Sequence, residues 1–143
     1  MPVADPRGWA ALHHLRREVL FRPGRLPWIY DPEHPDDRKP GHTPLILWER
    51  ESALGCARLD RCGSFGIVRL IAISEARQRQ GLGRVLDAMI TELARRDGLS
   101  HLRVNAAAEA EGFYLKCGWR VRDWDLDETR RAPTPVVQMI KQI

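Results

Sequence analysis

The 143-residue sequence has no run of eighteen apolar residues, which excludes a helix spanning a bilayer. Its first residues, Met1-Pro2-Val3-Ala4-Asp5, lack the basic start and apolar core of a signal peptide, so none is expected. Cysteine is scarce. Cys56, Cys62 and Cys117 are odd in number and form no CxxC pair. That argues against a disulfide framework and against a four-ligand zinc site; it points to a reducing cytoplasm, with three thiols that pack as small apolar groups. Proline is missing from Leu45 to Ala132, all ten prolines lying at positions 2 to 44 or at 133 and 135. Regular structure can therefore run through the middle of the chain without forced breaks. No internal repeat or low-complexity tract is present.

Neither sign of charge dominates, since 23 Lys and Arg against 19 Asp and Glu leave +4. This mild excess permits nucleic acid as a partner and equally suits a small anion rich in phosphate. Hydrophobic residues at 43% and charged ones at 29% are ordinary globular proportions, and the length fits one domain over residues 1–143.

Asp5 can cap a first helix with Pro6 in its first turn, and Trp9, Leu12, Leu15, Val19 and Leu20 recur near helical spacing. Pro23-Gly24 should end it. Residues 22–43 hold five prolines and nearly balanced charge, and read as a long irregular loop that shapes a binding site. Residues 44–48 and 53–59 form a strand pair, residues 60–64 a turn, and residues 65–73 a central strand apolar on both faces. Leu82, Val85, Leu86, Met89, Ile90 and Leu93 trace an amphipathic helix that stops at Asp97-Gly98. A short strand at 102–106, a helix at 107–116 stopped by Cys117-Gly118, and strands at 119–127 and 135–140 complete the chain. The order α–ββ–β–α–β–α–ββ predicts a mixed α/β domain, its sheet flanked by helices.

The chemistry concentrates where the central strand meets a basic, glycine-containing turn and then a helix. A helix start leaves amides unpaired and slightly positive, so it binds anions without any special side chain. Gly81 and Gly83 remove Cβ atoms, and Arg77, Arg79 and Arg84 add charge, a combination suited to a diphosphate. Gly83 is followed by Arg84-Val85 rather than Lys-Ser/Thr, which disfavours NTP hydrolysis. A dinucleotide fingerprint wants glycine at 86 and an acid near 101, where this chain has Leu86 and His101.

Gln78-Arg79-Gln80-Gly81-Leu82-Gly83 resembles the Gln/Arg-x-x-Gly-x-Gly/Ala signature of the GNAT superfamily of acyl-CoA-dependent N-acetyltransferases. A second block supports the resemblance: Val104-Asn105-Ala106-Ala107, then Gly112-Phe113-Tyr114-Leu115-Lys116-Cys117-Gly118-Trp119, similar to the family's second acyl-CoA motif. Both blocks stand in family order, and the resemblance covers roughly residues 44–143. It implies a central, mostly antiparallel twisted sheet flanked by helices, here with a short or missing first strand.

The resemblance further implies acetyl-CoA as co-substrate and direct acetyl transfer to a primary amine in a ternary complex. Leu70, Ile71, Ala72 and Ile73 would offer backbone groups to the pantetheine arm. The amides from Arg79 through Gln80, Gly81, Leu82 and Gly83 to Arg84, following Gln78, would hold the diphosphate. Asn105 and Phe113 would lie beside the cofactor and Tyr114 near the thioester sulfur, with Tyr114 and Asn105 as the catalytic residues. A phenol is protonated at neutral pH and can donate to the departing thiolate, so Cys117 is not needed as a nucleophile. Many family members carry a glutamate in the central strand; by register that position is Arg69 here. The base is left between a water relayed by backbone carbonyls and a carboxylate from residues 22–43, and Arg69 is open to an anionic acceptor.

Each assignment has a plainer counterpart. Tyr114 can be a core aromatic beside Phe113, and the glycine turn a mere tight connection. Asn105 is balanced between a cofactor contact and a strand-end hydrogen bond. His34 and His42, with Asp31, Glu33, Asp36 and Asp37, show no metal-ligand spacing, so no metal is expected. Trp48 reads as core, whereas Trp28 and Tyr30 are open as acceptor-pocket residues. The acceptor is a small-molecule or protein amine, with neither nucleic acid nor membrane as partner; a homodimer is compatible with the family. The alternative is a non-catalytic acyl-CoA-binding or sensing module, for which the missing strand glutamate speaks.

Overall fold

In the computed structural model, which describes residues 1–21 and 30–143, the first element is α1 (Pro6–Leu15). Asp5 caps it, its carboxylate accepting from the Gly8 amide at 2.7 Å, and Pro6 fills the first turn. A π-helical turn, Arg16–Leu20, continues it and turns Arg16 and Val19 inward. The expected stop at Pro23-Gly24 falls outside the described residues. Within the loop predicted at 22–43, Pro35–Arg38 forms a 3-10 turn.

Six strands follow: β1 (His42–Glu49), β2 (Ser52–Cys62), β3 (Phe65–Ile73), β4 (His101–Ala107), β5 (Arg120–Val121) and β6 (Val136–Gln142). Their order across the sheet is β1-β2-β3-β4-β6-β5. All neighbours are antiparallel except β3 and β4, which run parallel. Among the described residues no full strand precedes β1. A single bridge between Pro2 and Leu45 stands in its place, with the Val3 amide donating to the Pro44 carbonyl at 2.9 Å.

α2 (Leu82–Arg96) and α3 (Glu111–Lys116) pack on one face over Leu59, Val68, Leu102 and Val104; α1 covers the other at Ile46, Cys56 and Ala72. α2 ends as expected, with Gly98 at φ 75° taking the left-handed conformation that closes a helix.

Two departures position the site. Partner numbers across β2 and β3 drop from Cys56–Ala72 to Arg58–Arg69, so three β3 residues span two of β2, and Leu70 there has φ 52°. This is a bulge. Beside it, β3 and β4 pair only from Phe65–His101 to Val68–Val104 and then part.

The segment expected as one strand at 119–127 is instead the two-residue β5 followed by a short helix, α4 (Leu126–Arg131). Asp125 caps α4, its carboxylate accepting from the Asp127 and Glu128 amides at 3.0 and 3.2 Å. The Gln138 side-chain oxygen accepts from the Trp124 and Asp125 amides, which draws the chain off the sheet edge. The turn expected at 60–64 is also shorter, since β2 runs to Cys62.

Candidate acyl-CoA site

Where β3 leaves β4, a groove of about 970 Å³ opens and runs to the start of α2. Leu70, Ile71, Ala72 and Ile73 line it from β3, and Gln78, Arg79, Gly81, Leu82, Gly83 and Arg84 from the turn and helix start. Asn105, Phe113 and Tyr114 close it from β4 and α3. Of the residues expected here, Gln80 alone is not in the lining; its side-chain oxygen accepts from Arg77 Nε at 2.9 Å. Val19 and Leu20 of the π-helical turn also line the groove, a contribution that α1's local pattern does not announce.

The turn leaves backbone donors free. Arg79 and Gly81 are both left-handed, at φ 65° and 79°. No side chain caps α2, and among the described residues no acceptor is found for the amides of Arg79, Gln80, Gly81 or Leu82. Unpaired amides at a helix start bind anionic oxygens. The two glycines do different work. A Cβ at Gly81 would point into open space, whereas one at Gly83 would sit 3.0 Å from Cε1 and Cζ of Phe113. Gly83 therefore lets α2 approach the Phe113 ring, and Gly81 supplies the backbone conformation.

Tyr114 is 6% exposed and meets Phe113 and Trp119 edge-on, at centroid distances of 5.2 and 5.5 Å. Its hydroxyl makes no hydrogen bond among the described residues. Burial pushes its pKa up, and the nearby Asp87 carboxylate adds to the effect, so the phenol stays protonated at neutral pH. Asp87 is itself held by Trp119 Nε1 and Lys141 Nζ, both at 2.8 Å.

Arg69, at the parting of the strands, is paired. Its Nη1 and Nη2 donate to Glu128 Oε1 and Oε2 at 2.7 and 3.2 Å, and its Nε to Asp60 Oδ2 at 3.3 Å. Asn105 Nδ2 donates to the same Glu128 Oε1 at 2.9 Å, while its Oδ1 accepts from Gln138 Nε2 at 3.0 Å. Both ends of the Asn105 amide are thus engaged within the protein.

The carboxylate bonded to both Arg69 and Asn105 where the strands part is Glu128 of α4. Asp37, the buried acid in the described part of residues 22–43, is bound by Arg16 and Arg58. Sequence reasoning missed Glu128, although Asp125-x-x-Glu128 has capping-box spacing that marks a helix start. Tyr30 accepts from Arg16 Nη1 at 3.3 Å and contacts His13, while Trp28 lies outside the described residues. Among the described residues no group of three or more His, Cys, Asp or Glu could hold a metal ion, and no helix is long and apolar enough to cross a membrane.

The profile of the acetyltransferase (GNAT) domain family matches residues 33–143. The chain belongs to the GNAT acetyltransferase family. This GNAT protein is similar to a Bacillus subtilis protein named provisionally as an acetyltransferase, with 26% identity over 98 residues, which is 68% of this chain and 65% of that relative. The match thus spans just under two thirds of the relative's length. Among solved structures, a provisionally named N-acetyltransferase from Lactobacillus plantarum aligns with TM-score 0.80 and 25% identity over 99% of this chain and 95% of its own. A Bacillus subtilis acetyltransferase crystallised with CoA aligns with TM-score 0.65 and 20% identity, covering 79% of this chain and 86% of its own, and shows the shared fold.

Proposed function

We propose that this GNAT protein moves acetyl from acetyl-CoA to a primary amine, directly and within a ternary complex. The observation that carries this is the parting of β3 and β4 after Val68 and Val104, in one groove with the uncapped start of α2. The residues present fit the cofactor: a groove of about 970 Å³ ends at four amides that have no acceptor among the described residues. When bound, acetyl-CoA supplies an activated acetyl thioester.

The protein's own groups do the rest. The Arg79, Gln80, Gly81 and Leu82 amides hold the diphosphate, with Arg79 and Arg84 adding charge. Beyond Val68 the β3 edge has no β4 partner, so Leu70, Ile71, Ala72 and Ile73 are available to pair with an extended pantetheine arm. Tyr114, which burial keeps protonated, would donate to the departing thiolate and regain its proton from water. The Arg69 guanidinium, in the place of a strand glutamate, takes up no proton, and this reading assigns the amine's proton to water.

Thiol release measured against a panel of primary amines, alongside calorimetric titration with CoA, tests the reading. Steady release with at least one amine is expected. CoA binding with no turnover across a broad panel overturns the transferase and leaves a CoA-binding module. A pH–rate profile rising through an ionisation other than the amine's own would replace water with a dedicated base.

A further inference from the structure

Behind the groove, between α1 and the sheet, lies a chain of charged side chains. Arg16 Nη1 donates to Asp37 Oδ2 at 2.7 Å, and Arg58 Nη1 donates to Asp37 Oδ1 at 3.4 Å. Arg58 Nε and Nη2 grip Asp60 at 2.6 and 2.9 Å, and Asp60 passes the chain on to Arg69 and Glu128. Three guanidinium groups thus face three carboxylates, and every member is partnered on its working edge except one. Arg16 is 1% exposed, yet its Nε and Nη2 have no hydrogen-bond partner among the described residues. They are the only such buried side-chain nitrogens or oxygens among the described residues.

The pair left over is informative. Nε and Nη2 form the guanidinium edge whose parallel N–H groups match the two oxygens of a carboxylate. Arg58, in the same chain of charges, uses that same edge on Asp60. A buried polar edge without a partner is costly, and native proteins rarely keep one without a use. Arg16 does not itself line the groove, but its turn does. Arg16 opens the π-helical turn whose Val19 and Leu20 line the groove, and that turn packs on β3, whose Leu70, Ile71 and Ala72 line it opposite. The Arg16 charge is felt at Cys56, whose thiol donates to the Leu70 carbonyl.

We propose that the acceptor amine carries a carboxylate, which the Nε–Nη2 edge of Arg16 takes in the layer between α1 and β3. The acceptor class is then an amino acid or an amino-terminated carboxylic acid. The anion enters where the groove borders that layer, at Val19, Leu20 and Leu70. The proposal rests on the transferase reading above, so its test uses binding, which that reading does not govern.

N-Acetylglycine, N-acetyl-β-alanine and N-acetyl-γ-aminobutyrate, each beside its carboxamide, are titrated calorimetrically into the wild-type chain and Arg16→Lys. Lysine keeps a cation for Asp37 and lacks the two-toothed edge. At one of the three spacings the carboxylate is expected to bind about tenfold more tightly than the amide, with the ratio falling to about one in Arg16→Lys. Equal affinity for acid and amide in the wild type, no binding of either, or a preference that survives in Arg16→Lys overturns the proposal. If Arg16→Lys does not fold, a wild-type crystal soaked with the preferred acid decides: its carboxylate on Nε and Nη2 supports the assignment, and a water on that edge refutes it. Failure of the transferase reading would appear separately, as absent thiol release or absent CoA binding.

Discussion

Arg69 on β3 and Glu128 on α4, 59 residues apart in sequence, meet edge to edge with Nη1–Oε1 at 2.7 Å and Nη2–Oε2 at 3.2 Å. Their side chains are 30% and 19% exposed, so solvent screens the pair only in part. A double-mutant cycle with Arg69→Ala and Glu128→Ala, followed by urea unfolding, should give a coupling of about 1–2 kcal/mol, above an exposed ion pair and below a fully buried one. Additive effects would mean that the pair does not hold α4 to the strand opening.

Gly83 is expected to matter through Phe113. Its missing Cβ leaves room for ring atoms that would lie 3.0 Å away. Gly83→Val should lower stability by about 1–3 kcal/mol through overpacking and weaken CoA binding, since Phe113 walls the groove. Adding Phe113→Leu should recover part of the stability. If the second substitution brings no relief in thermal unfolding, the strain lies elsewhere.

Tyr114→Phe should cut turnover about tenfold or more and leave CoA affinity within about twofold, because the hydroxyl acts on the leaving group and not on the diphosphate. The phenol's pKa is raised in the folded state, so its stabilising contribution is full below about pH 10, the ordinary tyrosine value, and is lost as pH rises toward the folded value. Between pH 8 and pH 11 the wild-type Tm should therefore fall further than that of Tyr114→Phe. Parallel curves, or unchanged turnover, would remove the buried phenol from the account.

Asp37 carries the opposite sign. Burial pushes its carboxyl up, but hydrogen bonds and charge from Arg16 and then Arg58 outweigh it, holding the net value below the usual one. Its contribution is present above the ordinary carboxylate range and is lost as pH falls through the lowered folded value. Asp37→Asn should be less stable than wild type near neutrality, and the gap should narrow in acid, below about pH 4. Chemical denaturation at stepped pH measures this; a constant gap would show that Asp37 does not titrate with folding.

Local chemistry made much of the domain legible. β3 matches its expected limits, Phe65 to Ile73, because a buried strand must be apolar on both faces. The capped start of α1, the uncapped start of α2 and the left-handed glycines are likewise local events. Residues 119–127 were misread because Trp-Arg-Val-Arg and Trp-Asp-Leu-Asp each alternate as a strand does, with the phase broken at Asp123. The Gln138 side chain, more than ten residues away, takes the amides of Trp124 and Asp125 out of any ladder.

The amino-acid order by itself determined the glycine turn and the helix after it, since each needs only neighbouring residues to set backbone angles and leave amides unpaired. Where β3 and β4 part, which carboxylate meets Arg69, and why Arg16 keeps an unpartnered edge were decided by the tertiary structure alone. Those outcomes depend on charges and strand edges brought together from distant parts of the chain, and no local pattern encodes which of several arginines and carboxylates will share one buried layer.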